Sequence, residues 1–568
     1  MNSIHARSSF RATATLAVLL LTSVATKAQV APLAAGTPPP GNETVELSPF
    51  VVATERETGW SASETLSATR TKQALRDVPV NIDAITSDFM EDLGLYTADD
   101  VANFVANAWV PPLMENDSQS GAVAIRGLSG LAPARNYFRW FIPSDTYNVE
   151  RIDFGKGSNS LIFGEVDPGG QATVFTKRPL LRNFGMVLLR QNSEGAYRYQ
   201  LDYNRKLRPN LALRFNAVRR QEKTFQDTSA YHFEGETLGA MWQPFAKTWI
   251  RIEGEQGDYD NRRGFAGIFV REQSARGRGY TSAGTYFTSE GVWVIQSTLP
   301  SVDRGSGNGP AGGSPSLIEG GYFDVAMRNS AGAIVGPRRV HGFPKHYNLR
   351  GSFDRQSRPF DCYTITVEQA VGSVACEFSY NHQNQHREQN DNAFDGPVNL
   401  DVNGRPYMDA QSDRKRFGTD TDAFRASAAY AWNRWKWTQQ FFVATAEYRE
   451  HAVDNYRFQG FNVRKVLAGT ARAIDLSADR GRLRIYLDDP AFYSREVYDR
   501  LQFKGLPVTD AVDLRMLGFF GGQDAASGTS WSRTAAASFS ASGRYLGGRL
   551  QSLLGLRHDR NRLYEYAT

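Results

Sequence analysis

Two groups of residues between positions 126 and 151 have side chains suited to binding chemistry. Arg126, Glu150 and Arg151 carry the charges needed for ion pairs with a complementary surface, although exposed pairs contribute little to stability. The second group is a contiguous aromatic and basic cluster of Tyr137, Phe138, Arg139, Trp140 and Phe141. Aromatic rings stack on planar groups and an arginine attracts anions, so this cluster suits either a ligand platform or packing against a neighbouring protein wall.

The residue types that form catalytic or metal centres lack the required spacing. The eight histidines are scattered without a His-Glu-x-x-His pair, and the two cysteines, Cys362 and Cys376, cannot form a metal cage. Gly155-Lys156-Gly157 lacks the Gly-Lys-Ser/Thr ending and the long following helix of a phosphate-binding loop. The sequence therefore predicts no enzyme activity and no resident metal or cofactor. A Cys362–Cys376 bridge and two free thiols both remain open.

Composition favours a β protein of at least two domains. A chain of 568 residues is too long for one small core. Its 65 basic and 60 acidic residues are interspersed, so the net charge of +5 does not indicate a nucleic-acid partner. A mean hydropathy of -0.45 is too polar for a helical membrane protein. With 12% aromatic residues and 51 glycines, the composition is typical of a transmembrane barrel, in which half of each strand faces water or a lumen.

The N-terminal 54 residues read as three segments. Residues 1–28 place two arginines before a short apolar run and end in small residues, which predicts a cleaved secretory signal peptide. Residues 29–44 contain three consecutive prolines and form a flexible tether. Residues 45–54 are an isolated β-prone segment. It is either an edge strand of the next domain or a peptide that adds to the sheet edge of a partner.

Residues 55–179 predict a compact α+β domain. Residues 78–85 and 121–127 are short strands, and Thr97 resembles a helix N-cap with an acidic residue three positions later. The domain ends in a strand, two glycine turns and a second strand between residues 149 and 179. Because glycine allows positive φ and proline ends a ladder, this stretch marks the boundary with the architecture that follows.

Residues 180–568 alternate apolar and polar positions with a period of two, which predicts antiparallel strands. The predicted strands are 184–191, 196–204, 211–219, 232–242, 248–258, 362–370, 375–383, 421–432, 435–448, 531–542 and 549–559. Short turns alternate with the long connections 259–361, 384–420 and 449–530. Outer-membrane barrels have short periplasmic turns and long extracellular loops, so we predict a transmembrane antiparallel β-barrel.

These motifs together resemble the TonB-dependent outer-membrane receptors. Ile125-Arg126-Gly127, Val149-Glu150-Arg151-Ile152, Gly155-Lys156-Gly157, Phe163-Gly164, Gly169-Gly170 and Thr176-Lys177 match the family's plug signature in order and spacing, and Leu553 to Asp559 resembles a barrel strand. The segment similar to the TonB box is Glu46, Leu47, Ser48, Pro49, Phe50, Val51, Val52, Ala53 and Thr54. The resemblance implies a plug at 55–179 and an incomplete barrel at 180–568, about half of a 22-stranded barrel, in a C-terminally truncated chain.

The resemblance also implies a function and a set of partners. It implies uptake of a scarce nutrient across the outer membrane, above all a ferric siderophore, with iron present only inside the transported chelate. Carbohydrate import, a passive or adhesive barrel and a non-functional fragment are the alternatives. The implied partners are the TonB energising complex, outer-membrane lipid and a small-molecule ligand. Arg126, Glu150 and Arg151 would lock the plug against the barrel wall, and Tyr137, Phe138, Arg139 and Trp140 would contact the ligand.

Overall fold

The computed structural model describes part of the chain, in segments that cover most of the predicted plug and most predicted strands. The described residues are 59–62, 64–65, 73–75, 81–109, 123–128, 133–157, 169–223, 229–262, 268–269, 285–288, 291–296, 316–317, 322–328, 334–341, 355–394, 399–400, 406–435, 438–459, 482–486 and 528–567. The predicted signal peptide, tether and TonB box lie outside them.

The first described domain is a small α+β unit. Its elements are β1 (Glu64–Thr65), β2 (Gln73–Ala74), β3 (Ile82–Thr86), α1 (Ser87–Leu93), α2 (Ala98–Ala102), β4 (Ala108–Trp109), β5 (Ala124–Ile125), β6 (Ala134–Arg135), β7 (Phe138–Arg139), a 3-10 turn (Thr146–Asn148), β8 (Val149–Lys156) and β9 (Gly170–Thr176). Five strands form one sheet in the order β3-β8-β9-β6-β7. The strands β1 and β2 form one separate antiparallel pair, and β4 and β5 form another.

Side-chain caps fix both helices of this domain. Thr86 accepts a hydrogen bond from the Phe89 amide at the start of α1, and Gly94 ends that helix with a left-handed φ of 68°. Thr97 and Asp100 form a reciprocal capping box at α2, which confirms the predicted N-cap. Among the described residues, no helix is long and apolar enough to cross a membrane.

The core of this domain lies between the helices and the β8–β9 ribbon. Met90 and Val101 from the helices pack with Ile152, Phe154 and Val174 from the ribbon. Every residue of β9, and every residue of β8 except Glu150, is buried. The charged strand β8 therefore runs through the centre of the sheet, between β3 and β9.

Long antiparallel strands build the second part of the fold. They are β10 (Phe184–Gln191), β11 (Tyr197–Arg208), β12 (Leu211–Lys223), β13 (Ala230–Phe245), β14 (Thr248–Arg262), β21 (Arg355–Val371), β22 (Val374–Phe394), β24 (Pro406–Trp435), β25 (Thr438–Gln459), β27 (Gly528–Tyr545) and β28 (Leu550–Ala567). Consecutive members of this series are hydrogen-bonded neighbours, and within the described residues β10 and β28 are the two ends of the path. All eleven predicted strands are confirmed.

The long connections are shorter than predicted and are not structureless. Strands β22 and β25 extend into them by 11 residues each and β24 by 15, because backbone pairing continues after the apolar alternation ends. The connections also contain β15 (Ile268–Phe269), β16 (Thr285–Thr288), β17 (Gly291–Gln296), β18 (Ser316–Leu317), β19 (Tyr322–Arg328), β20 (Ile334–His341), β23 (Asn399–Leu400) and β26 (Arg482–Tyr486). Strands β16, β17, β19 and β20 form their own sheet.

The two faces of the large sheet differ in polarity. Val187, Leu189, Leu554 and Leu556 are exposed on one face. The opposite face covers the first domain with buried polar side chains such as Arg198 and Asp202. This apolar-out, polar-in alternation confirms the predicted fold class of a transmembrane antiparallel barrel sheet with an α+β plug. We refer to the two parts as the plug and the barrel sheet.

The two cysteines are free thiols. Cys362 lies opposite Gln383, whereas Cys376 lies opposite Gln369, so seven ladder positions separate them. At about 3.4 Å per strand residue this is roughly 24 Å. A disulfide requires Cα atoms within about 7 Å, which excludes a bridge between them.

Candidate functional site

Arg135 joins the plug to the acidic part of the barrel wall. This β6 side chain is buried, and its Nη2 lies 2.7 Å from Glu253 Oε1 and also pairs with Glu255, both on β14. Its guanidinium stacks over the Trp140 ring at 4.4 Å. Burial alone would lower the pKa of Arg135, but Glu255 and Glu253 outweigh it and raise the pKa above its ordinary value. Arg135 is therefore a fixed charge between two carboxylates.

Asp145 forms the complementary contact with the basic part of the wall. Its carboxylate lies 2.8 Å from Arg198 Nη2 on β11 and 3.0 Å from Arg220 Nη1 on β12. Both guanidinium groups also lie over the plug ring of Tyr96, at 4.4 and 5.5 Å. Burial would raise the pKa of Asp145, but Arg198 and Arg220 hold it below its ordinary value. One plug carboxylate thus offsets two barrel cations.

A third contact lies where the plug chain passes into the barrel sheet. Lys177 Nζ is 3.2 Å from Asp202 Oδ2, and Arg214 Nη2 is 2.6 Å from the same oxygen. Glu150 Oε2 lies 3.7 Å from Arg214 Nη1. Charges from both domains alternate in this cluster, so each buried cation has a carboxylate beside it.

The three predicted lock residues have three different positions. Glu150 faces Arg214 of the barrel sheet. Arg151 is buried within the plug, where it pairs with Asp153 of its own strand. Arg126 is exposed and has a positive φ of 56°, and its guanidinium lies beside Gly157 of the plug. Arg126 forms no ion pair with any other residue that the structure describes.

Sequence reasoning missed the strongest contacts, those of Arg135 and Asp145. Arg135 lies just before the aromatic cluster and outside the matched motifs, and Asp145 follows the cluster in a loop without a recognisable motif. A signal was present on the barrel side, since Glu253 and Glu255 alternate with apolar residues and must face the lumen together. The plug partner of these two carboxylates cannot be read from that alternation.

The aromatic cluster packs against the barrel wall. Asn136 and Tyr137 both have positive φ and form the two-residue turn between β6 and β7. Phe138 and Trp140 are buried, and the Arg425 guanidinium of β24 lies 4.3 Å from the Phe138 ring. For Phe138 and Trp140, this agrees with packing against a neighbouring wall, one of the two roles predicted for the cluster. Tyr137 and Arg139 remain half-buried, so a role for them in ligand binding stays a prediction.

Above this hairpin, the plug loop binds a row of polar side chains on β22. Gln383 donates to the Arg139 carbonyl at 2.9 Å and accepts from the Phe141 amide at 3.1 Å, while Gln385 donates to the Phe141 carbonyl at 2.6 Å. The Phe141 ring stacks on His451 at 4.0 Å. This part of the lumen presents amides, guanidinium groups and aromatic faces, which suit an anionic ligand with planar groups.

One set of possible metal ligands occurs in the part of the chain that the structure describes. Ligand atoms of His382, Asp420 and Asp422 lie within 4.8 Å of one another. His382 alternates with Gln383, which faces the plug, so the set lies on the outer face of the sheet. Asp422 already accepts from Tyr380 and contacts His382. The set is therefore separate from the plug and barrel interface.

Comparisons with known proteins agree with this architecture. No family model matches the chain. It is 25% identical over 206 residues to the ferrioxamine receptor of Yersinia enterocolitica, and 25% identical over 228 residues to the metal-pseudopaline receptor CntO of Pseudomonas aeruginosa. These alignments cover 34% and 37% of this chain, but only 29% and 31% of the relatives.

Solved structures match over nearly the whole chain. The ferripyoverdine receptor of the Pseudomonas aeruginosa outer membrane has a TM-score of 0.63 and 15% identity, covering 90% of this chain and 56% of that one. The ferric-catecholate import receptor Fiu of Escherichia coli K12 has a TM-score of 0.60 and 12% identity, covering 89% and 64%.

These similarities confirm what the sequence motifs predict about fold. The matched proteins include receptors of the outer membrane, which agrees with the predicted location. The chain spans 56% of the ferripyoverdine receptor and therefore presents the plug with part of the barrel sheet of such a protein. The chain thus has the plug-and-barrel fold of a TonB-dependent outer-membrane receptor.

Proposed function

We propose that this protein takes up a ferric siderophore across the outer membrane, driven by TonB. The observation that carries the proposal is a plug fixed to a barrel wall by buried, oppositely charged contacts through Arg135 and Asp145. A passive or adhesive barrel does not require an internal domain held in this way. An energised importer does, because the plug must close the pore and still move when work is done on it.

The chemistry of the lumen around Phe141 supports a chelate as ligand. Arg139 and Phe141 are only partly buried, and the neighbouring Phe138 and Trp140 are buried. Tyr137 is also partly buried, but its ring packs on Phe175 of the plug. Ferric siderophores carry aromatic or hydroxamate groups and are often anionic, so rings and guanidinium groups suit them. The receptors similar to this chain are described as receptors for ferrioxamine, ferripyoverdine and ferric catecholates. Iron enters this proposal only as cargo within the chelate.

The proposed TonB contact is residues 46–54, which lie outside the described residues. A β-prone peptide binds a partner by adding a strand to the partner's sheet, with main-chain hydrogen bonds supplying the affinity. The first described residues after it, Gly59 and Trp60, bind the side chains of Asp88 and Asp92 in the plug. A pull on residues 46–54 would reach the plug through this segment.

Deleting residues 46–54 is expected to abolish uptake while leaving surface binding intact. The deleted peptide precedes every described plug and barrel contact, so the ligand surface should fold as before. The measurement is binding and uptake of ⁵⁵Fe-loaded ferrioxamine and pyoverdine by cells that express the receptor. Deletion of the equally long tether segment 31–39 is the matched control. Unchanged uptake after loss of residues 46–54 would rule out the proposed energy source.

A further inference from the structure

Among the contacts that the structure describes between residues 59–65 and the rest of the plug, two differ in kind, and β1 also pairs with β2. The first, which we call the clasp, is the contact of Gly59 and Trp60 with helix α1. The Gly59 amide donates to Asp88 Oδ2 and Trp60 Nε1 donates to Asp92 Oδ2, both at 2.8 Å. Trp60 also packs edge-on against Phe89, with ring centroids 5.1 Å apart. Trp60 is 54% exposed, so water competes for these bonds.

The second contact, which we call the seat, is fully buried. Thr65 Oγ1 donates to Asp153 Oδ2 at 2.7 Å, and both residues are 0% exposed. Arg151 donates to the other oxygen of the same carboxylate, Oδ1, at 2.8 Å. Both oxygens of Asp153 are thus engaged, one by the N-terminal segment and one by the charged strand. A buried hydrogen bond to a charged group is stronger than an exposed neutral one.

The seat lies on β8, a plug strand that also contacts the barrel wall. Asp153 pairs with Ala84 on β3 and with Thr173 on β9, so β8 cannot shift alone. Glu150, on the same strand, faces Arg214 of the barrel sheet. A displacement of Thr65 therefore acts on the centre of the plug sheet and on one of its contacts with the barrel.

We propose that the seat is the point at which a pull on the N-terminal segment enters the plug, with Asp153 as the positioning residue. The clasp opens first because its bonds are exposed, and the segment then becomes taut at Thr65. Arg151 acts within the plug, by holding the Asp153 carboxylate towards Thr65. This inference rests on the proposed function in assuming that residues 46–54 are pulled.

Single-molecule force spectroscopy on the purified receptor tests the inference without ligand or TonB. The probe holds a tag inserted before Val45, and the roughly 20 residues from there to Thr65 extend to about 70 Å. We expect a small rupture force when the clasp opens and then a larger force peak when the seat opens. Thr65→Val, which replaces the hydroxyl by a methyl group of similar size, should lose the stronger peak, and Thr65→Ser, which keeps the hydroxyl, should keep it. Asp92→Asn should weaken the first event alone.

Two readouts keep this test separate from the proposed function. Hydrogen exchange in residues 149–156 should match wild type in Thr65→Val, which shows that the plug is folded. In cells, this variant should bind ⁵⁵Fe-loaded ferrioxamine or pyoverdine normally and take up less of whichever chelate the wild type transports. A full second peak in Thr65→Val would overturn the inference, whatever the effect of deleting residues 46–54. Retained uptake after that deletion would overturn the proposed function, whatever the force curve shows.

Discussion

Replacing Arg135 with methionine is expected to loosen the plug more than any other single substitution at the interface. The change leaves Glu253 and Glu255 on the wall without their shared cation, while methionine keeps most of the side-chain volume. Removing one partner of a buried ion pair costs about 3–5 kcal/mol, because the remaining charge is uncompensated. The measurement is urea unfolding of the purified receptor, with the free energy of unfolding of the variant compared with that of the wild type.

The matched control is Arg219→Met. Arg219 also pairs with a glutamate, Glu234, at 2.9 Å, but the two side chains are 66% and 63% exposed. Exposed pairs contribute about 0–1 kcal/mol, so this variant should unfold almost as the wild type does. If the two variants lose the same stability, Arg135 does not carry the role assigned to it here.

Replacing Asp145 with asparagine is expected to have the second largest effect and to change the response to acid. Arg198 and Arg220 would keep their burial but lose their shared carboxylate. The folded protein lowers the pKa of Asp145, so the contribution of this group is present above its ordinary pKa of about 3.9. It is lost as the pH falls through the lowered value. The variant should be less stable at pH 7 and should lose less stability on acidification.

Unfolding midpoints measured from neutral pH down to about pH 3 test this expectation, since that range spans the ordinary carboxyl pKa. Glu194→Gln is the control, because Glu194 is exposed in the turn between β10 and β11. It should change neither the midpoint at neutral pH nor the loss of stability on acidification. If Asp145→Asn loses as much stability as the wild type when the pH falls, other carboxylates determine the acid sensitivity of the protein.

Local patterns in the sequence were sufficient to predict the eleven long strands of the barrel sheet. Alternation placed β10 at 184–191, the same bounds as in the structure, and the acidic residue three positions after Thr97 predicted the α2 cap. Both features depend on residues close together in the chain. Strand ends in the long connections were predicted poorly, because β22 and β24 stay paired where most of their side chains are polar and the apolar alternation has ended.

The interface could not be predicted because its partners are far apart in sequence. Arg135 and Glu253 are 118 positions apart, and Asp145 and Arg198 are 53 apart. Alternation shows which charges face the lumen, but it does not show which plug residue meets them. Arg151 illustrates the opposite case. It lies two residues from Asp153 and on the same face of a strand, so a pair within the plug was readable from the spacing.

Uptake with and without the proton gradient distinguishes a TonB-driven importer from a passive barrel. Cells that express the receptor would be given ⁵⁵Fe-loaded ferrioxamine or pyoverdine, with and without a protonophore that collapses the inner-membrane proton gradient. A TonB-driven importer predicts that internalised iron falls to the level bound at the surface while surface binding is unchanged. Uptake that continues at the same rate without the gradient would contradict the account and indicate a passive barrel.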